Sequence, residues 1–446
     1  MNTQQKEFAN KRHHFSGRKI LSERNQYRSF YGIFWPFIFT KDLFRITKKI
    51  LVKKCKPFYK TQQVSIRRYA EWIDTLKTDH SHFVQYDNNS FSREPNDVKI
   101  YAFYLPQFYA IPENDNAYGK GFTEWTNVTQ ITPQFIGHEQ PKIPYDLGFY
   151  NLKMPGIIER QVELAKNYGI YGFCFYYYWF SGHKLLKDPL DYFLHSDIDF
   201  HFHLCWATGN WSKRWDGGEN ELILKQTLSV NDAVPFFEDI LPFIKDSRYE
   251  KINGKPLLII YSPGIFDKET FVLFTERLNN LAFAAGFNGF HILSTNAYGF
   301  DLPLEYGCDG LVEFPPHDLD IDNYYIRKPI LNKRSDFSIV DMTSFISDAK
   351  YAKENKYITY RTCFPSWDNT PRKLYTGGFC FLMNEDDFYK WLFYNIQYTK
   401  TNLPTDRQIT YINAWNEWAE GAILEPTVHD GYKNLSIVKK VLQEAR

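Results

Sequence analysis

The stretch YGFCFYYYW, residues 171–179, decides the fold. It carries apolar or aromatic side chains at successive positions, with no alternation between polar and apolar. A strand with one wet face alternates, whereas a strand buried on both faces reads as an unbroken apolar run. Working outward, the same signature recurs at VKIYAFYLP (98–106), FHFHLCWA (200–207), PLLIIYSP (256–263), HILSTN (291–296), GLVEFPP (310–316), YITYRTCFP (357–365) and QITYINAW (408–415). Helix patterns lie between several of these runs. Residues 155–168 are the clearest, with Pro155 in the first turn, Ile158, Val162 and Ala165 on one face, and Gly169 as the stop. Residues 268–285, 385–400 and 434–445 are others, while Pro235 and Pro242 weaken the helix between the third and fourth runs. Eight buried strands with intervening helices predict an α/β protein of the (β/α)₈ TIM-barrel type. A doubly wound open sheet fits less well, because no G-x-G-x-x-G or phosphate loop follows any strand.

The chain of 446 residues is long enough for one such barrel and an extra segment. A hydrophobic content of 43% and a charged content of 24% place it among globular proteins. The boundaries that follow are a basic extension and linker over 1–97 and a catalytic barrel over 98–446. Residues 1–60 hold 15 Lys/Arg against 3 Asp/Glu, and the remainder 38 against 49, so a cationic leader precedes an acidic body. The overall charge of +1 gives no general pull toward nucleic acid, and no nucleic-acid partner is expected. Within residues 30–60, FYGIFWPFIF is too short to span a bilayer. In KDLFRITKKILVKKCKPFYK (41–60), Leu43, Phe44, Ile46, Ile50 and Leu51 alternate with lysines and arginines. A helix there would present an apolar stripe and a cationic face, which suits peripheral contact with an anionic membrane surface. A solvated tail, or a helix docked on the barrel, is the plainer reading. The six cysteines form no C-x-x-C pair and read as small buried side chains. Reduced thiols and the absence of a signal-like apolar core suggest the cytosol, on the inner face of the membrane.

In a barrel the chemistry sits where strands end and loops begin. Those ends share a composition here: LPQF (105–108), YYYWF (176–180), CWATGNW (205–211), FPSWDN (364–369) and NAWNEWAEGAILEP (413–426). Each sets an aromatic beside an amide or carboxylate. Sugar rings present apolar C–H faces and an equator of hydroxyls, which aromatic platforms and polar side chains take respectively. The expected sugar contacts are Tyr104, Gln107, Glu124, Trp125, Tyr177, Trp179, Trp206, Asn210, Trp215, Asp216, Trp367, Asp368, Trp415 and Asn416. Any one of these tryptophans could equally be core. Glu425 either binds a sugar hydroxyl or is simply exposed.

The sharpest signal is Glu417-Trp418-Ala419-Glu420. In a strand, side chains three apart point to opposite faces; on a helical turn they are neighbours. Strand eight must end here, so the turn is expected. Two carboxylates that close do not both ionise easily, and the one that keeps its proton can protonate a leaving oxygen while its partner stays anionic.

The segments AFYLPQF (102–108), ENDNAYGKGFTEWTNV (113–128), DLGFYNL (146–152), YGIYGFCFYYYWFSG (168–182), CWATGNWSKRWDG (205–217), SWDNTPR (366–372) and INAWNEWAEGAILEP (412–426) resemble the WbsX-type proteins of bacterial surface-polysaccharide gene clusters. Those proteins are described as glycosyltransferases or family-99-like glycoside hydrolase domains. The resemblance covers about residues 98–435. Through the NEW-x-EG…EP segment it extends distantly to endo-α-mannosidases and endo-α-mannanases. It implies retention at the sugar carbon without metal or cofactor, with Glu417 as base on the sugar 2-hydroxyl and Glu420 as general acid/base. It also implies a glycan or lipid-linked oligosaccharide substrate in O-antigen or capsule biosynthesis. Two departures stand out: Ala419 where the distant relatives have a histidine or similar residue, and Gly209 where family members often carry a carboxylate.

Two other functions remain in view. A metal-using nucleotide-sugar glycosyltransferase would employ an Asp-x-Asp triplet, and Asp197/Asp199 and Asp318/Asp320 have that spacing. A non-catalytic glycan-binding scaffold would account for the missing carboxylate at Gly209.

Overall fold

The structure, a computed structural model, describes residues 66–71, 73, 82–213, 218–331, 336–373 and 376–446. The chain divides into two compact units, Met1–Asp74 and Thr75–Arg446. Of the first, the described part includes a short helical stretch in which Arg67 pairs with Glu71 at 2.8 Å. The cationic stretch 30–60 lies outside the described residues. Among the described residues, no helix is long and apolar enough to cross a membrane.

The second unit is built on parallel strands: β1 (Lys99–Tyr104), β2 (Gly172–Phe180), β3 (His201–Trp206), β4 (Lys255–Ile260), β5 (His291–Thr295), β6 (Gly310–Val312), β7 in two halves (Thr359–Tyr360 and Thr362–Cys363) and β8 (Ile409–Ile412). Each lies beside its neighbour in sequence, and β8 returns to β1 with Lys99 opposite Ile409. The halves of β7 face different partners. Thr359 and Tyr360 pair with β6, and Thr362 and Cys363 with β8, so the sheet closes around Arg361. The eight apolar runs of the sequence are these eight strands.

Side chains alternate along each strand. Tyr101 and Phe103 of β1, Tyr176 of β2 and Tyr411 of β8 fill the barrel. The Phe103 ring centre lies 5.4 Å from that of Tyr411 and 5.7 Å from that of Tyr176. The neighbours Tyr104, Phe173, Phe175 and Trp415 pack on one another on the outer side, beneath the helices. Close approach of strands is enforced at Gly172, between Tyr101 and His201. A Cβ there would come within 2.3 Å of the Tyr101 ring and 2.5 Å of the His201 carbonyl oxygen. Gly172→Ala is therefore expected to cost about 1–3 kcal/mol, seen as a lower urea midpoint at unchanged slope. An unshifted midpoint would contradict that packing.

The outer layer includes α1 (Glu124–Gln130), α2 (Ile157–Asn167), α3 (Ala233–Lys245), α4 (Lys268–Ala284), α5 (Glu385–Asn402) and α6 (Lys433–Glu444). Caps set several starts. The Asp267 side chain accepts from the Thr270 amide at the head of α4, and Asn384 and Asp387 form a reciprocal capping box at the head of α5. Helix α3 forms in spite of Pro242, which it contains. The proline faces solvent while Phe236, Phe237, Ile240, Phe243 and Ile244 are buried, and that apolar face offsets the missing hydrogen bond. The polar run DNNSFSREPND (87–97), at the end of the segment given to extension and linker, hydrogen-bonds to the barrel. Phe91 N–H donates to the Asn167 carbonyl at 2.9 Å, and the Arg93 guanidinium to the Gly169 carbonyl at 2.6 Å. The five described cysteines are buried and unpaired.

Two insertions shape the mouth. After β3, Trp211–Lys213 and Gly218–Leu224 pair as an antiparallel ribbon. Segments flanking β7 build a four-stranded sheet in the order Tyr325–Ile326, Asp336–Asp341, Thr376–Leu382, Trp367–Asp368. No sequence signal singled out this second sheet.

Candidate active site

The chain leaves β8 through a short antiparallel pair, Asn416–Glu417 with Ala422–Ile423, joined by a 3₁₀ turn over Trp418–Glu420. Gly421 makes the reversal. Its φ is +62°, and a Cβ would sit 3.0 Å from the Asp368 backbone nitrogen, so the position demands glycine. Asn416 ties the turn to the end of β1: its Oδ1 accepts from the Leu105 amide at 2.8 Å, and its Nδ2 donates to the Leu105 carbonyl at 3.0 Å. Beneath the turn, Glu425 accepts from Trp415 Nε1 (3.2 Å), Trp418 Nε1 (2.6 Å), Tyr150 Oη (2.8 Å) and Gln161 Nε2 (2.6 Å). Burial pushes its carboxyl up to about 7 against the pull of these donors. Glu425 is thus neither exposed nor on the cavity wall, and anchors both tryptophans of the motif.

Above the turn, at the C-terminal ends of β1–β4 and β8, lies a cavity of about 490 Å³. Glu417 and Glu420 both line it, with Gln107, Tyr176, Tyr178 and Arg372 beside them. Arg372 comes from the hairpin between Trp367–Asp368 and Thr376–Leu382. Its Nη1 donates to Glu420, and its Nη2 lies 3.5 Å from both Glu417 and Glu124. Glu124, at the head of α1, is wholly buried behind the guanidinium. Burial, then the negative charge of Glu420, push the Glu417 carboxyl well above the usual range; Arg372 only partly opposes this. Burial likewise raises Glu124 to about 7. Within the cluster the protonated form is thus favoured on Glu417, while Glu420 is paired with the Arg372 cation. The resemblance implied Glu417 as base and Glu420 as general acid/base; the cavity brings the two carboxylates together.

The other expected contacts divide sharply. Gln107 and Asn210 line the cavity, and Gly209 faces it with φ +134° and nothing within 4 Å of where a Cβ would point. The carboxylate missing at Gly209 leaves open space. Trp215 and Asp216 lie outside the described residues. The rest are packing groups, displaced from the cavity by strand parity or by burial. Tyr104 donates to Gln161 at 2.6 Å on the outer side of β1. Tyr177 packs against Phe236 and Phe243, Trp179 donates to Asp239, and Trp206 lies among Phe236, Phe266 and Phe274. Trp125 donates to the Tyr150 carbonyl and packs on Trp418, and Trp367 packs on Phe364. Asp368 accepts from Gln140 at 2.8 Å and Thr370 at 2.6 Å, with His138 at 2.6 Å. Burial raises its carboxyl, but the His138 ring and these donors hold it at about 2. His138, Asp368 and Cys380 have the proximity of a metal site. However, His138 Nδ1 accepts the Gln134 amide, which leaves Nε2–H to donate to Asp368, so both ring nitrogens are engaged.

The groups that do wall the cavity include several not singled out from sequence: Tyr176, Tyr178, Trp211, Tyr261, Tyr298 and Arg372. Counting parity along β2 from Tyr176 would have found the first two. Of the Asp-x-Asp triplets, Asp197 and Asp199 precede β3, at the end of the barrel opposite the cavity, and Asp199 pairs with Lys166 at 3.1 Å.

A family model described as Glycosyltransferase WbsX matches residues 100–438. The chain belongs to the WbsX glycosyltransferase family. Two proteins called "Uncharacterized protein WxcX", from two strains of Xanthomonas campestris pv. campestris, are each 36% identical over 348 residues. The match covers 78% of this chain and 50% of theirs, so the chain spans about half the length of these curated relatives. Among solved structures, a GH99 endo-alpha-mannosidase from Bacteroides thetaiotaomicron is similar at 16% identity and a TM-score of 0.43, covering 80% of this chain and 98% of that one. A glycoside hydrolase-like protein is similar at 14% identity and a TM-score of 0.49, covering 81% and 98%. Within the WbsX family, then, this chain presents a (β/α)₈ barrel with its acidic turn at the mouth.

Proposed function

We propose that this WbsX-family protein breaks or transfers a glycosidic bond in the cavity above the acidic turn, with Glu417 and Glu420 as the proton-handling pair. The observation that carries this reading is the shared Arg372: one guanidinium in the cavity wall faces both carboxylates, pairing with Glu420 while burial favours the protonated form of Glu417. As the C1–O bond breaks, Glu417 gives its proton to the leaving oxygen. The incoming hydroxyl, from water or from a sugar, gives its proton to the Glu420 carboxylate, which closes the balance. Tyr176, Tyr178 and Trp211 supply ring faces for sugar C–H groups, and Gln107 and Asn210 supply amides for hydroxyls. The substrate class is a surface glycan, carried on a lipid, of the kind built for O-antigen or capsule at the cytosolic face of the membrane. The cationic segment 30–60 would hold the protein to that surface.

A non-catalytic glycan-binding role draws support from the open space at Gly209. One experiment separates the two. The protein is incubated with lipid-linked surface-glycan intermediates of its own organism and the products are weighed by mass spectrometry. Loss or gain of sugar units is expected; glycan retained on the protein with no change in mass would favour the scaffold and reject the enzyme.

A further inference from the structure

A second cavity of about 260 Å³ opens beside the first, at the C-terminal ends of β5, β6 and β7. The wall between them is made by Tyr298 and His317, whose ring centres are 4.5 Å apart; Tyr298 lines the first cavity and His317 the second. Tyr261 braces that wall from the first side, with its hydroxyl 3.3 Å from His317 Nε2. Three features make this ridge unusual. Tyr298 is 62% exposed although it is a large aromatic. Its backbone is left-handed, with φ +57° and ψ +33°, a region bulky residues seldom occupy. Asp318, next to His317, is also left-handed at φ +59°, and its Oδ1 accepts from the Gly299 amide at 3.1 Å, so the two irregular loops are tied together. Backbone strain that persists at a surface ridge is held by its surroundings, and such positions cluster at ligand clamps.

The lining of the second cavity has the chemistry of the first. Phe300 and Tyr351 offer ring faces, and Asp301, Asp318 and Lys350 offer polar heads around them. At its base Thr362 of β7 is fully buried, and its hydroxyl has no hydrogen-bond partner in the protein. Ring faces beside polar heads suit sugars, and a phosphate site would need a cationic excess, whereas Lys350 and Lys353 are outnumbered by Asp301, Glu313 and Asp318 in this lining.

We propose that the second cavity is an accessory glycan subsite, and that Tyr298 is the platform across which one oligosaccharide passes from the reacting cavity into it. This rests on the reading of the first cavity as a glycan site. It makes the protein a reader of chain length: a short fragment reaches only the carboxylates, while a longer one also gains the ridge and the second cavity.

The test uses the full chain carrying Glu417→Gln, so that turnover is slow on the time scale of a titration. Fragments of about one to six sugars, released from the organism's own surface polysaccharide, are titrated by calorimetry. Affinity is expected to rise about tenfold or more from the shortest to the longest. Tyr351→Ala should bring the long fragment down to the affinity of the short one, and Asp301→Ala, at an exposed side chain, provides a second variant with little risk to folding. Equal affinity for all lengths, or a length dependence that both variants leave untouched, overturns the subsite. Absence of binding by every fragment overturns the glycan reading of the first cavity together with it.

Discussion

Glu417→Gln should lower turnover by about 10²- to 10⁴-fold while leaving the fold intact. The amide has the shape of the protonated acid that burial favours at this position, so packing is preserved; what it lacks is an acidic proton to give. Glu420→Gln should cost turnover on the same scale for another reason, since it removes the carboxylate partner of Arg372. The pH dependence follows from the direction of the shifts. Glu417 is raised, so its proton is kept to a higher pH than a free carboxyl would keep it, and activity should fall as the pH rises through that raised value. The residual activity of the Glu417→Gln variant should lack that limb. Stability has a matching sign. A carboxyl whose folded value lies above its unfolded one contributes stability that is full below the unfolded value and is lost as pH rises through the folded one. For Glu124, raised to about 7 by burial, the window runs from about 4.5 to about 7, and Glu124→Gln should flatten that part of the stability curve. Turnover unchanged in both active-site variants would remove the proposed chemistry.

The strands were legible because a barrel strand is buried on both faces and writes itself as an apolar run; each of the eight could be placed from that alone. What the run conceals is which residues face inward. In β2, Tyr176 and Tyr178 reach the cavity, whereas Tyr177 and Trp179 turn to the helices. A continuous aromatic stretch gives no polar face to fix that parity, so composition at strand ends favoured the tryptophans, which are mostly core. The acidic turn was legible for a different reason: Glu-x-x-Glu followed by glycine, at the point where a strand must stop, constrains both geometry and charge. Arg372 was not, because a lone arginine in a loop carries no spacing signal. It acquires meaning only when the small sheet built by residues flanking β7 folds its hairpin over the mouth. Glu425 shows the limit from the other side: its sequence position suggested a sugar contact or an exposed group, and only the four donors around it reveal an anchor.

Arg372→Met should destabilise the protein by about 3–5 kcal/mol, the usual scale when one partner of a buried ionic group is removed. The guanidinium side chain is 19% exposed and stands among Glu124, Glu417 and Glu420, of which the first two are almost wholly enclosed. Methionine fills much of the volume, so the loss comes from stranded negative charge rather than from an empty space. That distinction gives the prediction its sharp form. Without the cation the carboxylates can relieve their repulsion by binding protons, which drives their folded values further up. The deficit should therefore be large at pH 8 and shrink as the pH falls toward about 4.5, where the unfolded carboxyls are protonated as well. Denaturant midpoints of the parent and variant, measured across that range, should converge on the acid side. Arg372→Lys should recover only part of the loss, because an ammonium presents one point of charge where the fork meets Glu420 with one nitrogen and faces Glu417 and Glu124 with the other. A deficit that is the same at every pH would mean that Arg372 acts through packing, and that its pairing with the three carboxylates carries no stability.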